Sequence, residues 1–129
     1  MNSLVILKPD GVQRNLFNDL VYHFKANDLE IDEYRFIKEP HYTKIDYHYE
    51  DYINEPWYEK LFNWMISGPI IVMSVNTNIR YDDDTSIAKI REVCLKFRKR
   101  HQINFTYNTI HASDSVNNAN RELKIWGLY

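Results

Sequence analysis

The sequence predicts an α/β fold of the α+β sandwich type, in which helices cover one four-stranded antiparallel sheet. Segments with strand and helix periodicity follow one another as strand, helix, strand, two helices, strand, helix, strand and helix. The chain has 129 residues, of which 44% are hydrophobic, and this length supplies one buried core rather than two. We therefore expect a single domain over residues 1–129.

Four segments have the pattern of β-strands. The first, residues 3–7, is a short apolar run that stops before Pro9. Residues 31–37 alternate between apolar and polar side chains, which predicts a strand with one solvated face. Residues 70–75 are almost continuously apolar, as expected for a central strand, and residues 105–110 are the last candidate.

Five segments have apolar residues at helical spacing. They are residues 18–26, residues 43–53, residues 57–66, a segment that starts at Asp84 or Thr85 and extends at least to Phe97, and residues 115–126. Together with the strands they form two interleaved βαβ units, which is the ferredoxin-like arrangement.

The composition argues against several function classes. The net charge of -2 gives no general reason for nucleic-acid binding, so we expect no nucleic-acid partner. The lone Cys94 forms no internal disulfide and suits a reducing compartment, and no run approaches the ~20 apolar residues of a membrane span. We therefore expect a cytoplasmic protein without membrane contact. The basic run at 96–101 remains open as a solvated face or a weak polynucleotide patch.

Three short strings carry the chemical signal. They are KPDGVQR at residues 8–14, SGP at residues 67–69 and NTIHASDS at residues 108–115. In their residues, order and spacing they closely resemble the nucleoside diphosphate kinase family, and the similarity extends over nearly the whole chain. The resemblance implies the ferredoxin-like fold and a kinase that uses nucleoside di- and triphosphates.

The resemblance also implies a ping-pong mechanism through one site. His111 attacks the γ-phosphate of a triphosphate, becomes phosphohistidine, and passes the phosphoryl group to a second nucleoside diphosphate. Neutral imidazole suits this role because it is nucleophilic near pH 7. Ser113 and Glu122 match family positions that orient the imidazole, and Tyr49 matches a hydroxyl donor beside it. Lys8 matches a lysine that reaches the transferred group and also binds the nucleotide at its sugar.

The remaining family positions imply a nucleotide-binding site. Arg91 and Arg98 match basic residues that contact phosphates, and Asn108 matches a residue that binds the sugar. Trp57 matches an aromatic residue that stacks on one face of the base, and Leu61 follows it by one helical turn. Magnesium is expected to enter with the nucleotide, because the sequence has no cluster with protein-metal spacing.

Several residues also have an ordinary structural interpretation. Trp57 and Leu61 fit a packed helical face, and Arg91 fits the solvated edge of one. The other four histidines are expected to be structural or exposed: His23, His41, His48 and His101.

The chain differs from the family pattern between Arg91 and Ala112. Only six residues separate Arg91 from Arg98, where the family usually has a longer loop, and the shortened form resembles enzymes of large DNA viruses, whose place of action would be the host cytoplasm. Ala112 and Thr106 replace common glycines. Family members are homo-oligomers, so a hexamer, tetramer or dimer is expected. A catalytically weakened nucleotide-binding scaffold is the alternative function.

Overall fold

The computed structural model describes residues 1–128 and contains one antiparallel sheet. Its four strands are β1 (Ser3–Leu7), β2 (Leu29–Ile37), β3 (Ile70–Thr77) and β4 (Ile110–Ala112). They lie in the order β2-β3-β1-β4, and each pair of neighbours is antiparallel. This order confirms the ferredoxin-like, α+β prediction.

Six α-helices cover the sheet: α1 (Pro9–Gln13), α2 (Phe17–Ala26), α3 (Tyr42–His48), α4 (Tyr58–Ile66), α5 (Asp83–His101) and α6 (Val116–Ile125). A 3₁₀ turn, Glu50–Tyr52, follows α3. Within residues 1–128, no helix combines the length and the apolar character needed to cross a bilayer.

The central strand β1 is buried on both faces, which explains its continuous apolar run. Val5 and Leu7 belong to the core beneath α2 and α5. Leu4 and Ile6 point to the opposite core, which α3, α4 and α6 cover. Because β4 lies beside β1 at the sheet edge, its side chains face these same two layers.

Two predicted boundaries were wrong, and one short helix was not predicted. Pro9 starts the short helix α1 instead of only ending β1, since proline suits the first helical position. The predicted helix 43–53 is interrupted after α3 by the 3₁₀ turn. The helix expected from Asp84 or Thr85 begins at Asp83, because Asp82 caps it by accepting a hydrogen bond from the Thr85 backbone N–H at 2.7 Å.

The last strand also differs from the predicted segment 105–110. The Asn104 side chain accepts hydrogen bonds from the backbone N–H groups of Thr106 and Tyr107, at 2.9 and 2.8 Å. This local turn uses donors that a strand would need for its ladder. The strand therefore begins only at Ile110 and contains His111.

Candidate active site

A cavity of about 190 Å³ lies at the β4 edge of the sheet. It is bordered by α5, α6 and the segment from the end of α3 through the 3₁₀ turn. Five of the predicted site residues line it: Tyr49, Arg91, Arg98, His111 and Glu122. The folded chain thus brings together residues separated by more than half of the sequence.

His111 is the central residue of β4 and pairs with Ile6 of β1. Its side chain therefore faces the α6 layer, where its Nε2 lies 2.7 Å from Oε1 of the buried Glu122. The Ser113 hydroxyl donates to the same oxygen at 2.8 Å. Because Glu122 engages Nε2, Nδ1 is the ring nitrogen left for a reaction partner.

The electrostatic surroundings keep His111 neutral. Burial, followed by the nearby cations Lys8 and Arg98, holds its pKa well below the usual histidine value. Burial raises the pKa of the Glu122 carboxyl, which the Ser113 hydrogen bond opposes. A neutral imidazole has a free lone pair on Nδ1, as nucleophilic attack requires.

Lys8 connects β1 to α1 and is only 4% exposed. Its Nζ donates to Asn108 Oδ1 at 2.7 Å, which joins two of the predicted nucleotide-binding residues. Burial and the charge on Arg98 lower its pKa to about 7, with Asp10 opposing the shift. The ammonium group is therefore poorly compensated in the free protein, and a phosphate anion would supply its missing partner.

A strained connection holds the strand that carries His111. Thr109 has a φ of 76°, which is an outlier for a β-branched residue. Its carbonyl accepts from the Lys8 backbone N–H and its hydroxyl donates to the buried Asp10 carboxylate, both at 2.7 Å. Asp10 and Thr109 were not among the predicted site residues, although Asp10 belongs to the first motif and Thr109 to the third.

Arg91 and Arg98 stand on one side of α5, two helical turns apart. Arg98 donates from Nε and Nη2 to the Ile110 carbonyl, at 3.0 and 2.6 Å, so its guanidinium is fixed beside the strand residue before His111. Arg91 is exposed at the cavity mouth. The short connection between them is continuous helix, which makes their spacing rigid.

The Tyr49 hydroxyl is a buried donor that has no hydrogen-bond partner among the described residues. Burial, followed by the Glu122 charge, raises the pKa of the phenol. The group therefore stays protonated and can donate to an anion that enters the cavity.

The predicted base-binding residues lie outside this cavity, on α4 and just before it. Trp57 is half-buried, and its ring meets the Phe105 ring edge-on, with centroids 6.3 Å apart and an interplanar angle of 83°. Phe105 is 77% exposed and was not among the predicted site residues. Leu61 is only 7% exposed and packs in the core.

Six further cavity residues carry oxygen or nitrogen groups and were not among the predicted site residues: His48, Asp51, Tyr52, Asp114, Asn118 and Arg121. Asn118, Arg121 and Glu122 share one side of α6, and this helical spacing was a usable signal. Arg121 donates to the carbonyl oxygens of Tyr47 and His48 at 2.8 and 3.3 Å. It thereby ties the end of α3 to α6.

One group in the described chain, His48 with His111 and Glu122, has potential ligand atoms within 4.8 Å of one another. A divalent cation there would meet the charges of Lys8, Arg98 and Arg121, which act on this group. The surroundings therefore suit an anion better than a resident metal ion.

Comparisons with known proteins agree on one family. A family model described as nucleoside diphosphate kinase matches residues 1–127. A nucleoside diphosphate kinase of Thermoanaerobacter sp. (strain X514) is 29% identical over 96% of this chain and 94% of its own length. The mitochondrial nucleoside diphosphate kinase of Columba livia is 29% identical over 96% of this chain and 70% of its own.

A solved structure shows the same fold. The apo crystal structure of nucleoside diphosphate kinase from Encephalitozoon cuniculi superposes with a TM-score of 0.78, over 97% of this chain and 87% of that one. Its sequence identity is 22%, so this likeness bears on the fold alone.

Proposed function

The chain belongs to the nucleoside diphosphate kinase family, and from this premise we propose that the β4 cavity is its phosphoryl-transfer site, with His111 as the nucleophile. The protein is a phosphotransferase that moves the γ-phosphate of a nucleoside triphosphate to a nucleoside diphosphate. The matches extend over almost the whole chain and do not favour the alternative of a weakened scaffold.

The observation that carries the site proposal is the arrangement of the His111 ring. Nε2 is held by Glu122 at 2.7 Å, and Nδ1 is left with its lone pair in a cationic cavity. In the first half-reaction Nδ1 forms a bond to the γ-phosphorus while the bond to the β,γ-bridging oxygen breaks, and the nucleoside diphosphate leaves. In the second, a terminal oxygen of another diphosphate attacks that phosphorus and the N–P bond breaks.

Glu122 has a defined part in this exchange. Attack by neutral Nδ1 places positive charge on the imidazole, and the carboxylate that accepts the Nε2–H stabilises that charge. Ser113 donates to the same oxygen and fixes the carboxylate in place. Glu122 and Ser113 therefore orient the His111 ring, and the Glu122 carboxylate balances the positive charge that develops on the ring during transfer.

Four donors are available for the phosphate oxygens. Lys8 and Arg98 raise the positive potential at His111, Arg91 lies at the mouth, and the Tyr49 hydroxyl has no hydrogen-bond partner within residues 1–128. Phosphoryl transfer spreads negative charge over the equatorial oxygens, so fixed cations and hydroxyl donors stabilise its transition state. Magnesium would arrive bound to the nucleotide phosphates as part of the substrate.

The nucleoside is proposed to occupy the surface between the cavity and α4. Asn108 would bind the sugar beside Lys8, whose Nζ donates to the Asn108 Oδ1. The base would stack on the Trp57 ring, with Phe105, whose ring meets Trp57 edge-on, beside it; stacking of this kind tolerates any base. Leu61 would support Trp57 from the core instead of touching the base directly.

Self-association is proposed through the opposite edge of the sheet. Within the described chain β2 pairs only with β3, and its Tyr34 and Phe36 are 55% and 57% exposed. An unpaired strand edge with exposed aromatic residues favours pairing with a second copy. We expect a dimer through β2, from which a tetramer or hexamer could be built, and Tyr34→Glu should lower the sedimentation coefficient.

The cytoplasm is the proposed place of action. Cys94 is buried as a free thiol, which suits a reducing compartment.

Labelling with γ-phosphate-labelled ATP tests the site proposal. Wild type should form an acid-labile, base-stable phosphoprotein and pass the label to added diphosphates. His111→Ala should take no label, whereas the matched control His101→Ala should label normally, because His101 lies outside the cavity. Equal labelling of wild type and His111→Ala, or none of wild type, would contradict the proposal.

A further inference from the structure

His48 is a buried histidine for which the phosphoryl-transfer steps have no use. It ends α3, is 3% exposed, and lies in the layer between the sheet and α6. Its Nδ1 is 3.1 Å from the indole Nε1 of Trp126, which is itself buried. An indole N–H can only donate, so Nδ1 of His48 must be an unprotonated acceptor. The ring is therefore neutral, with its single proton on Nε2.

The second ring nitrogen of His48 makes no hydrogen bond within residues 1–128. This atom, Nε2, is buried, and a buried polar atom without a partner costs stability and calls for an explanation. The nearest aromatic neighbour beyond α3 is the His111 ring, whose centroid lies 4.5 Å away with an interplanar angle of 78°. One imidazole thus stands edge-on to the other.

The contact with His48 restricts the plane of the His111 ring, which the hydrogen bond to Glu122 alone does not. A single hydrogen bond at Nε2 fixes one atom of the His111 ring, but rotation about the bond between Cβ and the ring is broad for histidine. In-line attack also requires the plane of the ring to be fixed, so that the Nδ1 lone pair points at phosphorus. A second ring packed perpendicular to the first limits this rotation.

We propose that His48 is a positioning residue for His111: Trp126 locks it in the neutral Nε2–H form, and its ring holds the plane of the nucleophilic imidazole. The inference rests on the proposed role of His111. His48 must be neutral for this role, because a positively charged His48 ring next to His111 would repel the positive charge that His111 acquires during transfer. Burial, followed by the proximity of His111, lowers the pKa of His48 well below its usual value, which agrees with this state.

The kinetic test compares three variants in single-turnover phosphorylation by ATP. His48→Ala removes the contact and should slow phosphohistidine formation by roughly 10- to 100-fold, the range expected when a reacting group is misplaced by about 1 Å, with ADP affinity unchanged. His48→Phe keeps a flat ring and should retain the rate within about threefold. Ile45→Ala on the same helix and in the same core should lose stability without losing the rate.

Two outcomes of this test would overturn the inference. One is a folded His48→Ala that phosphorylates as fast as wild type. The other is an Ile45→Ala variant, matched in melting temperature, that is slowed as much as His48→Ala, since that would show a merely structural role.

Nitrogen NMR of the imidazoles tests the contact without any turnover. Wild-type His48 should show a protonated Nε2 and an acceptor Nδ1 at neutral pH, and the His111 ring signals should broaden or shift in His48→Ala. A charged His48, or His111 signals unaffected by His48→Ala, would contradict the inference. Absence of label on wild type would instead contradict the role of His111, so the two failures are distinguishable.

Discussion

The pKa of Lys8 predicts that the phosphate affinity of the proposed site depends on pH. In the free protein burial and Arg98 bring this pKa to about 7, whereas an amine paired with phosphate returns toward its ordinary value of about 10.4. Because the charged form binds the anion, binding takes up a proton above pH 7. At pH 8 only about a tenth of free Lys8 is charged, so ADP binding should take up about 0.9 proton.

The lowered pKa of Lys8 also determines how much the ADP affinity changes with pH. The charged fraction of Lys8 falls from about a half at pH 7 to about a hundredth at pH 9, so the Kd for ADP should rise about 50-fold, or ~2.3 kcal/mol. The terminal phosphate of ADP is already ionised in this range, with its last pKa near 6, and contributes little to the change.

Isothermal titration calorimetry in two buffers of different ionisation enthalpy measures both quantities. Lys8→Met should bind ADP weakly at every pH and take up no proton, while Lys8→Arg should keep its charge and show a flat profile. An ADP affinity of wild type that does not change between pH 7 and pH 9, or the same slope in Lys8→Met, would refute the reasoning.

Three further variants test separate parts of the account. Glu122→Gln removes the carboxylate that balances charge on His111 and should slow phosphohistidine formation about 100-fold, measured by rapid quench; a wild-type rate would argue against charge sharing. Thr109→Val keeps the side-chain shape but leaves the Asp10 carboxylate without its 2.7 Å donor, so urea unfolding should show a loss of about 1–3 kcal/mol, and an unchanged midpoint would contradict this. Phe105→Ala should raise the KM for nucleotides about 5- to 100-fold through lost stacking, with kcat little changed. The control Tyr22→Ala, which removes an equally exposed ring elsewhere, should leave KM as it is, and equal effects of the two would refute the base slot.

The sequence predicts the fold well where periodicity and burial coincide. β1 and β3 were found because both of their faces are buried, which gives continuous apolar runs. It fails where side chains compete with the backbone. Phe105 to Tyr107 have strand-forming side chains, yet the Asn104 carboxamide takes two of the N–H groups that a strand would use. A hydrophobicity pattern along the sequence does not show that a side chain will take the backbone N–H groups of its neighbours.

The site residues were predicted from the family resemblance that the motifs carry, and not from hydrophobic periodicity. The strings at residues 8–14 and 108–115 pointed to Lys8 and His111, which lie close enough for the lysine charge to act on the imidazole. The environment of His48 could not be predicted from the sequence motifs. Its partners are His111 and Trp126, which lie far along the chain, so only the folded packing shows that it is buried and neutral.

We propose above all that Nδ1 of His111 carries the phosphoryl group while Nε2 stays hydrogen-bonded to Glu122. The most direct measurement is nitrogen–phosphorus NMR of the protein after phosphorylation by ATP, which identifies the ring nitrogen that is bonded to phosphorus. We expect phosphorus on Nδ1 of His111 and a proton on Nε2. Phosphorus on Nε2, or on any other residue, would contradict it.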